Sequence, residues 1–420
     1  MAVSLAVTGV SRTRIMGIAS FWIELTARDD VWALLSIPLV AAVVTWVHVW
    51  MAMQLLFWPL EFMGKAPWWG WQGIVPRKAR KMATVVVDNS LGKLGSVNEF
   101  FTEMGPRQIA IHAAHAISAR AEDFTDDLMN EQSPVLWSNL PIMIKRRVYA
   151  HVRQQIPSVM DALLMRLHQH IDELVDIDAL IVKLLTQDKA LLVRMFKDVG
   201  QTEIRFVIRI SFWIGLFFGL IQMVLWYFVP WRHGLPLYAA ALGLLTNWIA
   251  LNLIFRPLNP VKIGPWVLQG LFLKRQALVV DRYAHLVTTE VITVGNITRE
   301  IFSGGQAERA QALIRQSIGP LVESMVIRIA MGPFGYAQLQ RAMVPKIAQW
   351  LIPPLSERAF NDERGRVLES ILARRMKALA PTDFQALLRP AFQEDEWIFL
   401  VLGALTGLLA GGVQMLVGFH

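Results

Sequence analysis

Seven polar side chains stand inside stretches that are otherwise apolar: His48, Gln54, Gln222, Thr246, Asn247, Asn252 and Gln414. Amides, a hydroxyl and an imidazole can hydrogen-bond a solute, a lipid headgroup or one another, and leaving an amide unpaired in hydrocarbon is costly. Two readings follow. One makes these residues a polar track for a small solute or headgroup; the other makes them interhelical hydrogen bonds that fix a bundle. No acidic or basic residue lies deep in the apolar stretches, which argues against a proton- or ion-coupled pump and favours the second reading.

Elsewhere, residues that could do chemistry are sparse. His112 and His115 lie one helical turn apart, and His168 with Asp172 has the i,i+4 spacing that puts two ligands on one helix face. Two ligands make a weak metal site, and a wet helix face is the commoner setting for such pairs. No glycine loop with lysine that would cradle phosphate, no HExxH and no nucleophile elbow occurs. The chain has no cysteine, which excludes disulfides, thiolate metal sites and a cysteine nucleophile. No catalytic, cofactor-binding or metal residue is assigned, and an enzyme is not expected. The run Lys145-Arg146-Arg147, with His151 and Arg153, reads either as a contact for lipid phosphate or a polyanion, or as a solvated helix face.

The elements that must hold these residues follow from hydropathy. Only 18% of the residues are charged and 54% are hydrophobic, so part of the chain belongs in an apolar solvent. A transmembrane helix needs about 20 apolar residues. Four stretches supply them: 31–57, 210–229, 235–255 and 397–419. Residues 1–30 form an N-terminal segment in which Glu24 breaks a short apolar run and no small-residue cleavage site follows, so an amphipathic lead-in or tail is expected rather than a signal peptide. Between the spans lie two helical regions, 58–209 and 256–396. There Met160, Leu163, Leu164, Leu167, Ile171, Leu174 and Val175 form one stripe, answered by Ile314, Ile318, Leu321, Val322, Met325 and Ile329. Gly105-Pro106, Gly304-Gly305 and Pro353-Pro354 are read as breaks between helices. The expected fold is an all-α membrane protein of about four transmembrane helices plus these two regions.

An even number of crossings puts both long regions on one side of the bilayer. Basic residues flank the spans on that side (Lys65, Arg77, Arg194, Lys197, Arg205, Arg256, Lys262, Lys274 and Arg275 among them), against Arg12, Arg14, Arg28 and Arg232 on the other. The positive-inside rule therefore makes the large regions cytoplasmic. The net charge of +8 is accounted for by attraction to an anionic leaflet, and nucleic acid is not an expected partner.

The sequence also repeats itself. Trp50-Met51-Ala52 through Phe57-Trp58-Pro59-Leu60 returns 198 positions later as Trp248-Ile249-Ala250 through Phe255-Arg256-Pro257-Leu258. A one-residue slip then aligns Gln72-Gly73 with Gln269-Gly270. Gly215, Gly219, Gln222 and Met223 match Gly407, Gly411, Gln414 and Met415. The chain thus reads as an internal tandem repeat of a two-span unit. Pro59 and Pro257 end their spans because proline cannot continue a helix. Trp58, Trp68, Trp69, Trp71, Arg256 and Trp266 are expected as membrane-interface anchors, on segments that turn the chain along the membrane surface. Glycines four apart favour close helix contact, with the second and fourth spans expected to pack together within or between protomers.

Thr246-Asn247-Trp248-Ile249-Ala250 through Phe255-Arg256-Pro257, with Gln269-Gly270 and Lys274-Arg275 after it and a glycine-rich closing helix, resembles the signature of the YheB/YjiN group of uncharacterised bacterial membrane proteins. His48-Val49 and Trp58 depart from that pattern in the first half. The resemblance implies a bacterial cytoplasmic-membrane location and an all-helical fold, and it implies no reaction. The expected function is a membrane-anchored scaffold or envelope-associated protein that binds a partner, such as a cytoplasmic protein, through its helical regions. A lipid or small-solute transporter is the alternative.

Overall fold

The computed structural model describes residues 31–65, 69–88, 95–228, 234–319, 325–388 and 396–417, and these are mostly helical. They divide into two compact units. One holds the described residues of Met1–Arg77, Gly200–Lys274 and Arg389–His420; the other holds those of Lys78–Val199 and Arg275–Leu388. The N-terminal segment 1–30 and Trp68 lie outside the described residues, as do the side chains of Trp69 and Trp266.

The first unit contains four helices long and apolar enough to cross a bilayer: Val31–Phe57, Gln201–Phe228, Gly234–Phe255 and Glu396–Val417, here called spans one to four. Span two starts at Gln201 rather than near Ile210, because nothing between them breaks a helix, and so carries Glu203, Arg205 and Arg209 in its opening turns. Spans one and three stop just before proline. Their last turns are closed by hydrogen bonds from Trp58 N–H to the Gln54 carbonyl (2.9 Å) and from Arg256 N–H to the Asn252 carbonyl (2.7 Å).

The segments that follow are antiparallel β-hairpins, not plain surface turns. Met63–Lys65 pairs with Trp69–Trp71, and Val261–Ile263 pairs with Trp266–Leu268. Both leave by the same bonds. Gly73 N–H reaches the Pro59 carbonyl (2.9 Å) and Gly270 N–H the Pro257 carbonyl (3.0 Å). The Gln72 amide donates to Leu60 O (2.6 Å) and the Gln269 amide to Leu258 O (3.3 Å). Three residues join the first pair of strands and two, Gly264 and Pro265, join the second. Gly264 takes the turn in the left-handed region at φ +60°, where a side chain would be strained. That one-residue difference is the slip in the sequence alignment.

Glycine sets the spacing of the spans. Span two lies along span one, and span four along span three. A Cβ on Gly215 would stand 2.7 Å from Thr45 Cβ, and one on Gly219 2.6 Å from Pro38 Cα. Across the other seam a Cβ on Gly407 would strike the Ala239 carbonyl, and one on Gly411 would stand 2.7 Å from Pro236 Cα. The glycines of spans two and four therefore face spans one and three respectively, instead of meeting each other. Lipid offers helices no hydrophobic reason to associate, so close backbone approach is a main source of their attraction.

The second unit is a single helical body made from both long regions. The stripe from Met160 to Leu167 is buried on the helix Ile142–Gln169, which ends at His170; Ile171 and Leu174 continue it on the short helix Ile171–Leu174. Gly105, at φ +75°, ends one helix and Pro106 opens the next. Pro353-Pro354 falls in the last turn of the helix Met325–Leu355 rather than between helices, and the chain leaves that helix one residue later. Leu321 and Val322 lie outside the described residues, and so do the side chains of Met325 and Ile329. Helices of the two regions pack on each other throughout: Pro106–Ala119 and Ala121–Gln132 on Met325–Leu355, and Ile142–Gln169 on Ala307–Ser317. Ion pairs also join the two regions. Arg375 grips Glu99, Lys183 meets Glu300 at 2.9 Å, and Lys346 holds both Asp127 and Glu131 at 2.9 Å.

Two outcomes test this architecture. Gly411→Val should destabilise the detergent-solubilised protein by about 1–3 kcal/mol or prevent its folding, since backbone blocks the new side chain. Gly412→Ala, with nothing within 4 Å of its Cβ, should leave the thermal unfolding midpoint unchanged or slightly raised. Lys346→Met tests the ion-pair seam. The hydrogen bond from Lys346 holds the Asp127 carboxyl below its ordinary range, and hydrogen bonds to Glu131 and Asp127 raise the lysine. The lowered acid contributes stability above its unfolded pKa of about 4 and loses it as pH falls through the folded value. The raised lysine contributes below about 10.4 and loses it as pH rises through its own folded value. The wild-type advantage over Lys346→Met should therefore be greatest between about pH 5 and pH 9 and shrink on both sides. It should stay within about 1 kcal/mol because solvent screens the half-exposed carboxylates.

Candidate functional site

The polar residues of the spans converge. A cavity of about 30 Å³ lies among all four, lined by Thr45 and His48 of span one, Gln222 of span two, Thr246 of span three and Gln414 of span four, with Gly215, Gly243 and Gly407 in its walls. That volume holds about one or two waters. His48, Gln222 and Thr246 are almost fully buried. The side-chain nitrogens of Gln222 and Gln414 are buried without a hydrogen-bond partner among the described residues, so the wall presents two unspent donors.

Beside the cavity, a chain of hydrogen bonds crosses three spans. The Asn247 amide nitrogen donates to the Phe399 carbonyl of span four at 2.5 Å, which fixes the orientation of the amide. Its oxygen then faces His48 and accepts from His48 Nε2–H at 2.9 Å. Nδ1 of the same ring lies 3.2 Å from the Val44 carbonyl of its own helix, so both ring nitrogens face an oxygen acceptor. Asn247 reaches Phe399 only because Gly403 has no side chain: a Cβ there would stand 2.5 Å from the Asn247 nitrogen. The close seam and the polar link are one construction.

The remaining polar residues stand outside this hydrogen-bond chain. Thr246 Oγ1 donates to the Leu242 carbonyl (2.8 Å), and the Asn252 amide to the Trp248 carbonyl (2.8 Å), each within its own helix. Gln54 is half-buried near the end of span one. Trp58 and Arg256 are exposed after the first and third spans, and the Arg77 guanidinium lies 5.8 Å from the Trp71 ring centre. Three residues escaped the sequence reading. Thr45 lies one turn before His48. Glu203 and Ser211 belong to the buried stripe Glu203, Val207, Ser211, Gly215, Gly219 of span two, whose four-residue spacing was present in the sequence. Both carboxylate oxygens of Glu203 are buried without a hydrogen-bond partner among the described residues.

In the helical unit the histidine pairs are spent on packing. His168 Nε2 bonds with Asn98 (3.0 Å) and Thr102 (2.9 Å), while Asp172 accepts from Asn98 N–H (3.0 Å). His112 stacks on Phe360 with ring centres 3.9 Å apart, and His115 is exposed. Among the described residues, no three His, Asp or Glu side chains converge as a metal site would need. A polar hollow of about 260 Å³ at the start of the helix Val294–Ser303 has its amides already engaged. Gly295 N–H donates to Asn361 Oδ1 (3.2 Å), and Asn361 Nδ2 donates to Leu355 O and Glu357 O (2.8 Å each).

The His48–Asn247 bond should be measurable. His48→Leu and Asn247→Leu should each cost about 1–3 kcal/mol, because each strands a buried polar partner. A double-mutant cycle read by unfolding in detergent should give a coupling of about 0.5–2 kcal/mol. Additive losses would mean that the bond contributes nothing. Comparison with known proteins gives no match: no protein-family model, no curated protein and no solved structure.

Proposed function

We propose that the chain is a membrane-anchored scaffold, in which four interlocked spans hold a large helical body at the surface of a bacterial cytoplasmic membrane. Its halves are two copies of a two-span unit, and the helical body is cytoplasmic, where it binds a protein partner. The matched bonds after Pro59 and Pro257, from Gly73 and Gly270 and from Gln72 and Gln269, support the two-copy reading. The basic flanks support the orientation, and the resemblance to the YheB/YjiN group supports the location.

One observation carries the choice of scaffold. His48, Thr246, Asn247 and Asn252 are spent on each other, on a neighbouring backbone or on their own helices, and the cavity beside them holds no more than a water or two. Such a bundle is a lock, so the working surface belongs to the helical body. The two unspent amides of Gln222 and Gln414 favour a second reading, a conduit for a very small hydrogen-bond acceptor.

Reconstitution separates the two. Full-length protein in liposomes should pass no solute faster than protein-free vesicles do. The double variant Gln222→Leu, Gln414→Leu should also recover the same stoichiometric partner from native membranes as the wild type. Flux that disappears in the double variant would replace the scaffold by the conduit, and loss of any stoichiometric partner from the wild type would remove the scaffold's purpose.

A further inference from the structure

Among the described residues of the helical unit, the three most exposed large apolar side chains share one corner. Val135 is 74% exposed, Met143 73% and Ile142 59%. They sit where the short helix Pro134–Asn139 turns into Ile142–Gln169. Burying such side chains in hydrocarbon is favourable, and leaving them in water is the costly state. The basic run follows within one turn. Arg146 and Arg147 are exposed, and neither forms an ion pair among the described residues. Nearby acids are already engaged: Glu122 with Arg153, Asp123 with Arg120, and Asp127 and Glu131 with Lys346.

The corner is braced from behind. Trp137 is buried, and its Nε1–H donates to Asp126 Oδ1 (2.9 Å), which also accepts the Tyr149 hydroxyl (2.6 Å). Lys145 Nζ lies 5.2 Å from the centre of the Trp137 ring. An apolar tip with a cationic collar on a rigid base matches the layered chemistry of a bilayer surface, with acyl chains beneath anionic headgroups.

We propose that this corner docks on the anionic leaflet of the membrane that the chain itself spans. Charge complementarity selects an anionic lipid surface over a neutral one. The chain tethers the helical unit covalently to that bilayer, so a few apolar and basic side chains suffice where they would fail for a free protein. The inference does not depend on whether the spans act as anchor or conduit.

The absence of cysteine makes the test clean. Full-length Met143→Cys, labelled with an environment-sensitive fluorophore, is reconstituted in vesicles of phosphatidylcholine alone or with about a third phosphatidylglycerol, at low protein-to-lipid ratio. With anionic lipid, the emission should shift to the blue and iodide quenching should fall at least two- to threefold, while label at Val367→Cys, on another helix, reports no change. Adding Arg146→Gln and Arg147→Gln should abolish the lipid dependence with the helical circular dichroism unchanged. Equal quenching at Met143→Cys in both vesicle types would overturn the proposal. So would a shift that follows protein density whatever the lipid, which would mean a second copy, or one that appears only when protein-free anionic vesicles are added, which would mean an apposed membrane.

Discussion

The membrane unit depends on helices coming close enough for their backbones to touch. At the second seam, Gly243 and Gly403 face each other so closely that a Cβ on either would meet the other's carbonyl, and Gly407 and Gly411 press on Ala239 and Pro236. In water such contacts would be one contribution among many. In lipid, where side chains gain nothing by leaving one apolar medium for another, they decide which helices pair. The seam also decides what the polar residues can do. With Gly403 bare, Asn247 spans the gap to Phe399 and still has its oxygen for His48. Tight packing thus comes first, and the buried hydrogen bonds follow from it.

The helical unit is held by other means. Its core is a hydrophobic one, with Ile109, Leu163, Ile314, Leu339 and Leu372 almost wholly removed from solvent. Its ion pairs are half-exposed and modest in energy, but they join residues far apart in sequence: Glu99 to Arg375, Asp127 to Lys346, Glu173 to Arg309. Each region covers its apolar stripes partly with its own helices, Pro106–Ala119 on Ile142–Gln169 and Gln276–Leu286 on Arg358–Lys377, and partly with the other's, Ala307–Ser317 on Ile142–Gln169. Spans two and three lie between the regions in sequence, so the shared core is complete only once the chain has passed through both of those helices. The two units are therefore coupled by chain order, even though each has its own physics.

Much of this was legible in the sequence, and the exceptions have identifiable causes. Runs of apolar residues located the four spans because length and hydropathy are one-dimensional properties. The helix of span two begins at Gln201, ahead of the hydropathy boundary at Ile210, since that boundary marks where charge stops and not where the helix starts; it leaves out Glu203, whereas Ser211 lies inside it. Gly215, Gly219, Gly407 and Gly411 announced close contact, but a glycine does not name its partner, and the seams run one to two and three to four. The hairpins after Pro59 and Pro257 were unreadable, because strands of three residues are too short to show alternation. Gln54 and Gln222 looked equivalent in sequence. Only the rotation of each helix tells that Gln222 faces the cavity while Gln54 stands half-buried near the end of its span.

On the two-copy reading, the most informative positions are those where the copies disagree. His48 corresponds to Thr246, and Val49 to Asn247. Identical residues meeting across a twofold relation must be complementary to themselves, and two neutral amides or two imidazoles satisfy that only by sharing donors and acceptors unevenly. Divergence removes the difficulty. One copy supplies an N–H from His48, and the other supplies the Asn247 oxygen that receives it, with Val49 packed against Val207 and Ala250 nearby. Where the copies agree, at Gln222 and Gln414, the amide nitrogens are left without partners. The same bundle thus holds a solved and an unsolved version of one problem, and the unsolved one lines the cavity.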